Sequence, residues 1–157
     1  VNRLEVMLSL TMDKYWERKS LEEMNSEEWE RLCDGCAKCC LHKLEDEDTG
    51  ELYYAAVACK LLNLKSCQCS NYSNRFQTVP DCLKIRLDNP VVFTMLPESC
   101  AYRRIYEGKS LEPWHPLISK TDQSVHAHGI SILGKAFSED EIIPEEYEDY
   151  LITFEEK

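Results

Sequence analysis

The sequence has no apolar run near the roughly 18 residues that a membrane-spanning helix needs, so no transmembrane helix and no membrane partner are expected. Glycines are few, 5 in 157 residues, and none builds a phosphate-cradling loop. Neither G-x-S-x-G nor H-E-x-x-H occurs, which removes the hydrolase and metalloprotease signatures. Positive charge is also scarce. There are 18 Lys and Arg against 29 Asp and Glu, a net charge of −11. Non-specific nucleic-acid binding rests on neutralising phosphates, so that partner class is disfavoured. The start, Val1 to Leu10, is mildly apolar, but it is too short and interrupted for a secretory core, and no small-residue cleavage site follows. The expected compartment is the cytoplasm. The length suits one domain with its own core.

Cysteine is what the chain has in excess, nine in all. Four fall in the eight residues Cys33-Asp34-Gly35-Cys36-Ala37-Lys38-Cys39-Cys40, spaced C-x2-C-x2-C-C, and Cys59, Cys67, Cys69, Cys82 and Cys100 follow. Thiolates are soft anionic ligands for zinc and for iron–sulfur clusters. Two cysteines separated by two residues reach one centre from a single tight turn, and Gly35 supplies the positive φ such a turn favours. The ferredoxin-type run is matched only in part, because Cys40 follows at once and is succeeded by Leu41. Adjacent Cys39 and Cys40, if extended, point to opposite faces. One ligates while the other packs, or each serves a different metal. Nine thiols exceed the four that one zinc needs, so two ions or a cluster are open. Disulfides are the competing reading, but they need an oxidising compartment, and nine is odd. Binding a cation would offset the negative charge of the thiolates.

Around this run the chain reads as small α+β, with short helices and hairpins about a cysteine-rich metal centre. Residues 1–12 read as an N-terminal extension and 13–157 as the metal-binding domain. A short helix is expected over 13–18, with Tyr15 and Trp16 as packing anchors, and Ser20 caps a turn through Met24. Asn25 and Glu28 form a capping box for a helix from Ser26 to Leu32, which delivers the chain to Cys33. Leu41–Leu44 and Glu51–Val57 read as a hairpin across an acidic turn that lacks the EF-hand pattern. Cys67 and Cys69, if extended, share a face. The polar stretch from Ser70 to Cys82 reads as a loop over the site, and Cys82–Asp88 as a short helix or strand. A helix is expected from Glu98 to Glu107, stopped by Gly108, with Cys100 in its first turn, where a helix terminus lowers a thiol's pKa. Glu112–Leu117 reads as a rigid extended piece, Ile130–Leu133 as a strand and Glu145–Phe154 as a final helix. His42, His115 and the pair His126 and His128 are weaker ligand candidates. Core or strand roles compete for each of them.

The order C-D-G-C-A-K-C-C, then C-K-L-L from Cys59, C-S-N-Y from Cys69 and finally Cys82 resembles the CxxCxxCC family of zinc- or iron-chelating proteins. The nearer likeness is to its YcgN-like group, through Cys39-Cys40-Leu41-His42-Lys43-Leu44, Val57-Ala58-Cys59, Cys67-Gln68-Cys69, Pro80-Asp81-Cys82, Cys100-Ala101-Tyr102-Arg103 and Trp114-His115-Pro116-Leu117. The likeness runs from about Tyr15 to about His128. It implies a cytoplasmic metal-chelating protein and supplies no reaction. The broader family's cysteines map to Cys33, Cys36, Cys39, Cys40, Cys59, Cys69 and Cys82. Cys67 and Cys100 belong to the narrower pattern. The broader family often has Arg-Pro after the tyrosine, and here Arg75 is followed by Phe76.

The expected function is metal binding, with zinc or iron, the latter also as an iron–sulfur cluster. Two alternatives stand beside a binding role: a redox protein or enzyme using a cluster, and a structural zinc domain that presents an interaction surface to a protein partner.

Overall fold

The computed structural model describes residues 14–154, so the expected extension over 1–12 lies outside the described residues. The chain enters through a one-turn helix α1 (Tyr15–Arg18), whose Tyr15 and Trp16 are both buried. A 3-10 turn (Leu21–Glu23) follows, with the Glu23 carboxylate accepting from the Ser20 amide at 2.9 Å. Helix α2 (Ser26–Glu30) starts from the reciprocal capping box: Asn25 Oδ1 accepts from the Glu28 amide at 2.9 Å, and Glu28 Oε1 accepts from the Asn25 amide at 3.0 Å. This helix stops short of Leu32, which buries completely.

Strand β1 (Leu41–Glu45) pairs antiparallel with β2 (Leu52–Ala58), as the hairpin reading requires. Asp46 Oδ1 accepts from the Asp48 and Thr49 amides and folds the acidic turn, which closes on Gly50 at φ +72°. Strand β2 is central. Its other edge takes β5 (Phe137–Ser138) in parallel and β6 (Leu151–Ile152) antiparallel, at different heights. A two-stranded ribbon joins β3 (Leu62–Asn63) to β4 (Gln68–Cys69), with Leu62 opposite Cys69.

Short helices of four to six residues supply the rest: α3 (Arg75–Thr78), α4 (Val91–Thr94), α5 (Ala101–Tyr106), α6 (Pro116–Ser119) and α7 (Ser124–Ala127). Four apolar clusters form among the described residues, two of them large. One unites Tyr15, Trp16 and Leu32 with Phe93, Leu96 and Tyr102. The other gathers Ala37, Leu41, Ala58, Leu62, Cys67 and Ile132 beside the sheet. The cysteine run spans the gap, with Leu32 in the first cluster and Ala37 and Leu41 in the second. The fold is therefore small α+β, and no helix among the described residues is long and apolar enough to cross a membrane.

Several local readings are corrected. The stretch Ser70–Cys82 is not plain loop: a 3-10 turn (Tyr72–Asn74) runs into α3. Residues 83–86 are neither helix nor strand. Pro116 opens helix α6 instead of extending the chain, because a proline's fixed φ suits the first helical position. Residues 130–133 form no strand; the strand there is Phe137–Ser138. The acidic C-terminal stretch is a 3-10 helix (Pro144–Tyr150) followed by β6, since aromatic and aliphatic side chains there find partners on β2.

Candidate metal centre

The run opens as two successive tight turns. Asp34 Oδ1 accepts from the Cys36 amide at 2.9 Å and folds the first C-x2-C. Gly35 sits there at φ +80°, and an added Cβ would meet nothing, so conformation alone demands glycine. Ala37 repeats the left-handed turn at φ 61° and leads into a 3-10 turn (Lys38–Cys40), closed by the Cys40 amide on the Ala37 carbonyl at 3.0 Å. The entry is pinned from outside. His115 is buried, its Nδ1 accepts from the Leu117 amide at 3.0 Å, and its Nε2–H therefore donates to the Leu32 carbonyl at 2.8 Å. The exit is pinned by the Cys59 amide on the Cys40 carbonyl at 2.9 Å.

All nine cysteines are free thiols. Cys33 and Cys39 are exposed, Cys36 and Cys67 are buried, and the other five lie between. Burial, with the Asp34 carboxylate and the Cys39 and Cys100 sulfurs beside them, pushes the Cys33 and Cys36 thiols well above the ordinary range. Burial pushes Cys100 up to about 12. Cys39 is the exception. Its hydrogen bond with the Cys40 thiol, aided by Lys43, holds it down to about 7, while the same bond and burial push Cys40 far up. Burial also raises Cys59, Cys67 and Cys82. Asp34 Oδ2 is buried with no hydrogen-bond partner. A carboxylate held so beside crowded thiols makes a local excess of negative charge that a cation would balance.

Sequence reading expected a lowered Cys100 from a helix start. Cys100 instead caps α5 from outside, and burial outweighs the short helix. Cys67 is not extended: φ is 61°, and its thiol turns to the Cys36 carbonyl at 3.7 Å, so it does not share a face with Cys69. His126 and His128 lie on and just past α7 rather than on a strand. His126 bonds Ser131, and His128 bonds its own helix. His42 pairs with Glu139 at 2.8 Å and stacks near Tyr147. That partner is 97 residues away and left no signal in the sequence. Buried Lys38, which donates to Ser99 Oγ at 2.9 Å, was also not singled out.

Among the described residues, no three or more His, Cys, Asp or Glu side chains stand in an arrangement that would hold a metal ion as the chain lies. The donor set fits zinc or iron by chemistry: soft thiols, with a buried carboxylate among them that has no hydrogen-bond partner on Oδ2.

The sequence pattern described as "Putative zinc- or iron-chelating domain" matches residues 32–101. A "UPF0260 protein" of Allorhizobium ampelinum is 49% identical over 142 residues, covering 90% of this chain and 89% of its own length. Another, of Cronobacter sakazakii, is 48% identical over 144 residues, covering 92% and 96%. The "UPF0260 protein YcgN" of Escherichia coli is 48% identical over 139 residues, covering 88% and 90%. No solved structure matches. This chain thus belongs to the CxxCxxCC family, in its YcgN-like UPF0260 group.

Proposed function

We propose that residues 13–157 form one cytoplasmic metal-binding domain whose clustered cysteines hold zinc or iron, the latter also as an iron–sulfur cluster. The observation that carries this reading is the double turn from Cys33 to Cys40, pinned at both ends and crowded with free thiols next to the orphaned Asp34 carboxylate. Nine free thiols also suit a reducing compartment. A metal would draw the thiols into their deprotonated form. The ligand candidates are Cys33, Cys36, Cys39, Cys40, Cys59, Cys67, Cys69, Cys82 and Cys100. The test is Cys36→Ser. Loss of bound metal together with solubility supports the reading. Full retention of both overturns it.

A further inference from the structure

We propose that the groove beside helix α2 docks a partner protein through an extended segment in which lysine or arginine alternates with large apolar side chains. This inference stands apart from the metal-binding reading and uses none of the cysteines.

The groove holds about 500 Å³ between the stretch Leu21–Glu30 and residues 86–88. Its floor is apolar. Leu21, Met24, Trp29 and Leu87 line it, and all four pack into the cluster around Phe93 and Tyr102. Leu21 is buried, while Met24, Trp29 and Leu87 keep part of their surface open. The rim is charged and exposed, with Glu22, Glu30, Arg86 and Asp88. A volume of this size suits whole side chains rather than a bare ion.

Charge sets the sign of the occupant. From Ser20 to Glu30 there are five glutamates and no lysine or arginine. Three of the five are used within the fold. Glu23 accepts from the Ser20 amide, Glu27 pairs with Arg31, and Glu28 pairs with Lys19 at 2.8 Å while accepting from the Asn25 amide. The other two line the groove. Glu30 accepts from the Tyr72 hydroxyl at 2.7 Å and meets no cation among the described residues. Glu22 has neither a hydrogen bond nor an ion pair through its carboxylate among the described residues. Arg86, the cation of the lining, is already forked onto Asp88 at 2.9 and 2.6 Å. Uncompensated carboxylates therefore stand over an apolar floor, in a chain whose net charge of −11 draws cationic partners from a distance.

The far wall favours a peptide chain as the occupant. Leu83, Ile85 and Leu87 pack on the cluster, and Lys84, Arg86 and Asp88 between them are exposed. That alternation is the period of a strand, yet no strand among the described residues pairs with it. The amides of Leu83, Lys84, Ile85 and Arg86 donate no hydrogen bond among the described residues. An extended peptide laid along such a segment supplies carbonyls to its amides and places alternate side chains in the adjoining pocket. Here the apolar floor selects a large apolar residue, and Glu22 and Glu30 select its basic neighbours.

The experiment is fluorescence anisotropy of a short fluorescein-labelled peptide of alternating lysine and leucine, titrated with the full chain. Two control peptides replace leucine by serine or lysine by glutamate. The chain is used as wild type, as Glu22→Lys and as Glu148→Lys, which makes the same change of net charge at an exposed residue outside the groove. Far-UV circular dichroism checks folding, and Glu22→Gln against Glu148→Gln replaces the pair if either lysine variant fails to fold. The lysine–leucine peptide should bind wild type and Glu148→Lys alike, and Glu22→Lys about fivefold more weakly. The lysine–serine peptide should bind wild type at least about tenfold more weakly, since it brings nothing to the apolar floor. The glutamate–leucine peptide should not bind. Absence of binding by the lysine–leucine peptide overturns the proposal. Equal weakening by both charge reversals also overturns it, because net charge alone would then explain the binding. So does a control peptide that binds as tightly as the lysine–leucine one.

Discussion

His115→Phe probes how the cysteine run is anchored. The substitution keeps a ring of similar size in a site that is 1% exposed, but removes the donor to the Leu32 carbonyl and the acceptor for the Leu117 amide. A buried carbonyl left unsatisfied costs about 1–3 kcal/mol. The Leu117 amide adds less, since its surroundings are only part-buried. The expected loss is therefore about 2 kcal/mol at pH 7.5, read from urea unfolding of the reduced protein as purified. A second signature follows from titration. Burial lowers the His115 pKa, and the bond to the Leu32 carbonyl opposes this only in part. The unfolded imidazole takes up a proton below about pH 6.5, and the folded one resists. The His115 contribution is thus complete above about pH 6.5 and is lost as pH falls from there toward the lowered folded value. Wild type should lose at most about 1.4 kcal/mol by this route between pH 7.5 and 5.5, and the phenylalanine variant none, so the gap between them narrows in acid. A variant within about 0.5 kcal/mol of wild type at pH 7.5, or a gap that stays constant with pH, refutes the reasoning.

Other substitutions test the scaffold. Asn25→Ala removes one half of the α2 capping box and should cost about 1 kcal/mol in thermal or urea unfolding. Tyr102→Phe removes only the hydroxyl bond to the Trp29 carbonyl and should cost about 0.5–1.5 kcal/mol, with its ring packing intact. Phe93→Ala opens a cavity at a position 1% exposed and should cost about 3–5 kcal/mol in the same assay. A strong chelator under reducing conditions should lower the melting temperature sharply, since a structural metal contributes on the order of 10 kcal/mol. An unchanged melt would show that the bound metal does not support the fold.

Local signals were legible wherever chemistry lay within a few residues. The turn after Ser20, the capping box at Asn25, the hairpin around Gly50 and the stop at Gly108 all stand where the sequence puts them. His115 also takes the core role weighed for it against ligation. Misread elements depended on distant partners. The short strands β5 and β6 exist because β2 offers them an open edge, and neither carries a periodicity of its own. The C-terminal acidic stretch has helical composition, but Tyr147 and Tyr150 are drawn against Ala55, Val57 and Ile142, and the chain tightens into 3-10 geometry. Cysteine spacing marked the site, yet it could not separate Cys67 from Cys69. A left-handed turn at Cys67 sends its thiol into the apolar cluster, and spacing alone carries no sign of that. The orphaned Asp34 carboxylate and the His42–Glu139 pair likewise appear only in three dimensions.

Metal content of the wild-type chain, purified without oxygen and read together with its visible spectrum, tests the metal-binding claim most directly. Zinc or iron bound in a fixed ratio to protein is the expected result. Colour and matching sulfide would assign an iron–sulfur cluster, and colourless protein with zinc would assign a chelating or structural site. Well-folded protein carrying no zinc and no iron above the buffer background would contradict it.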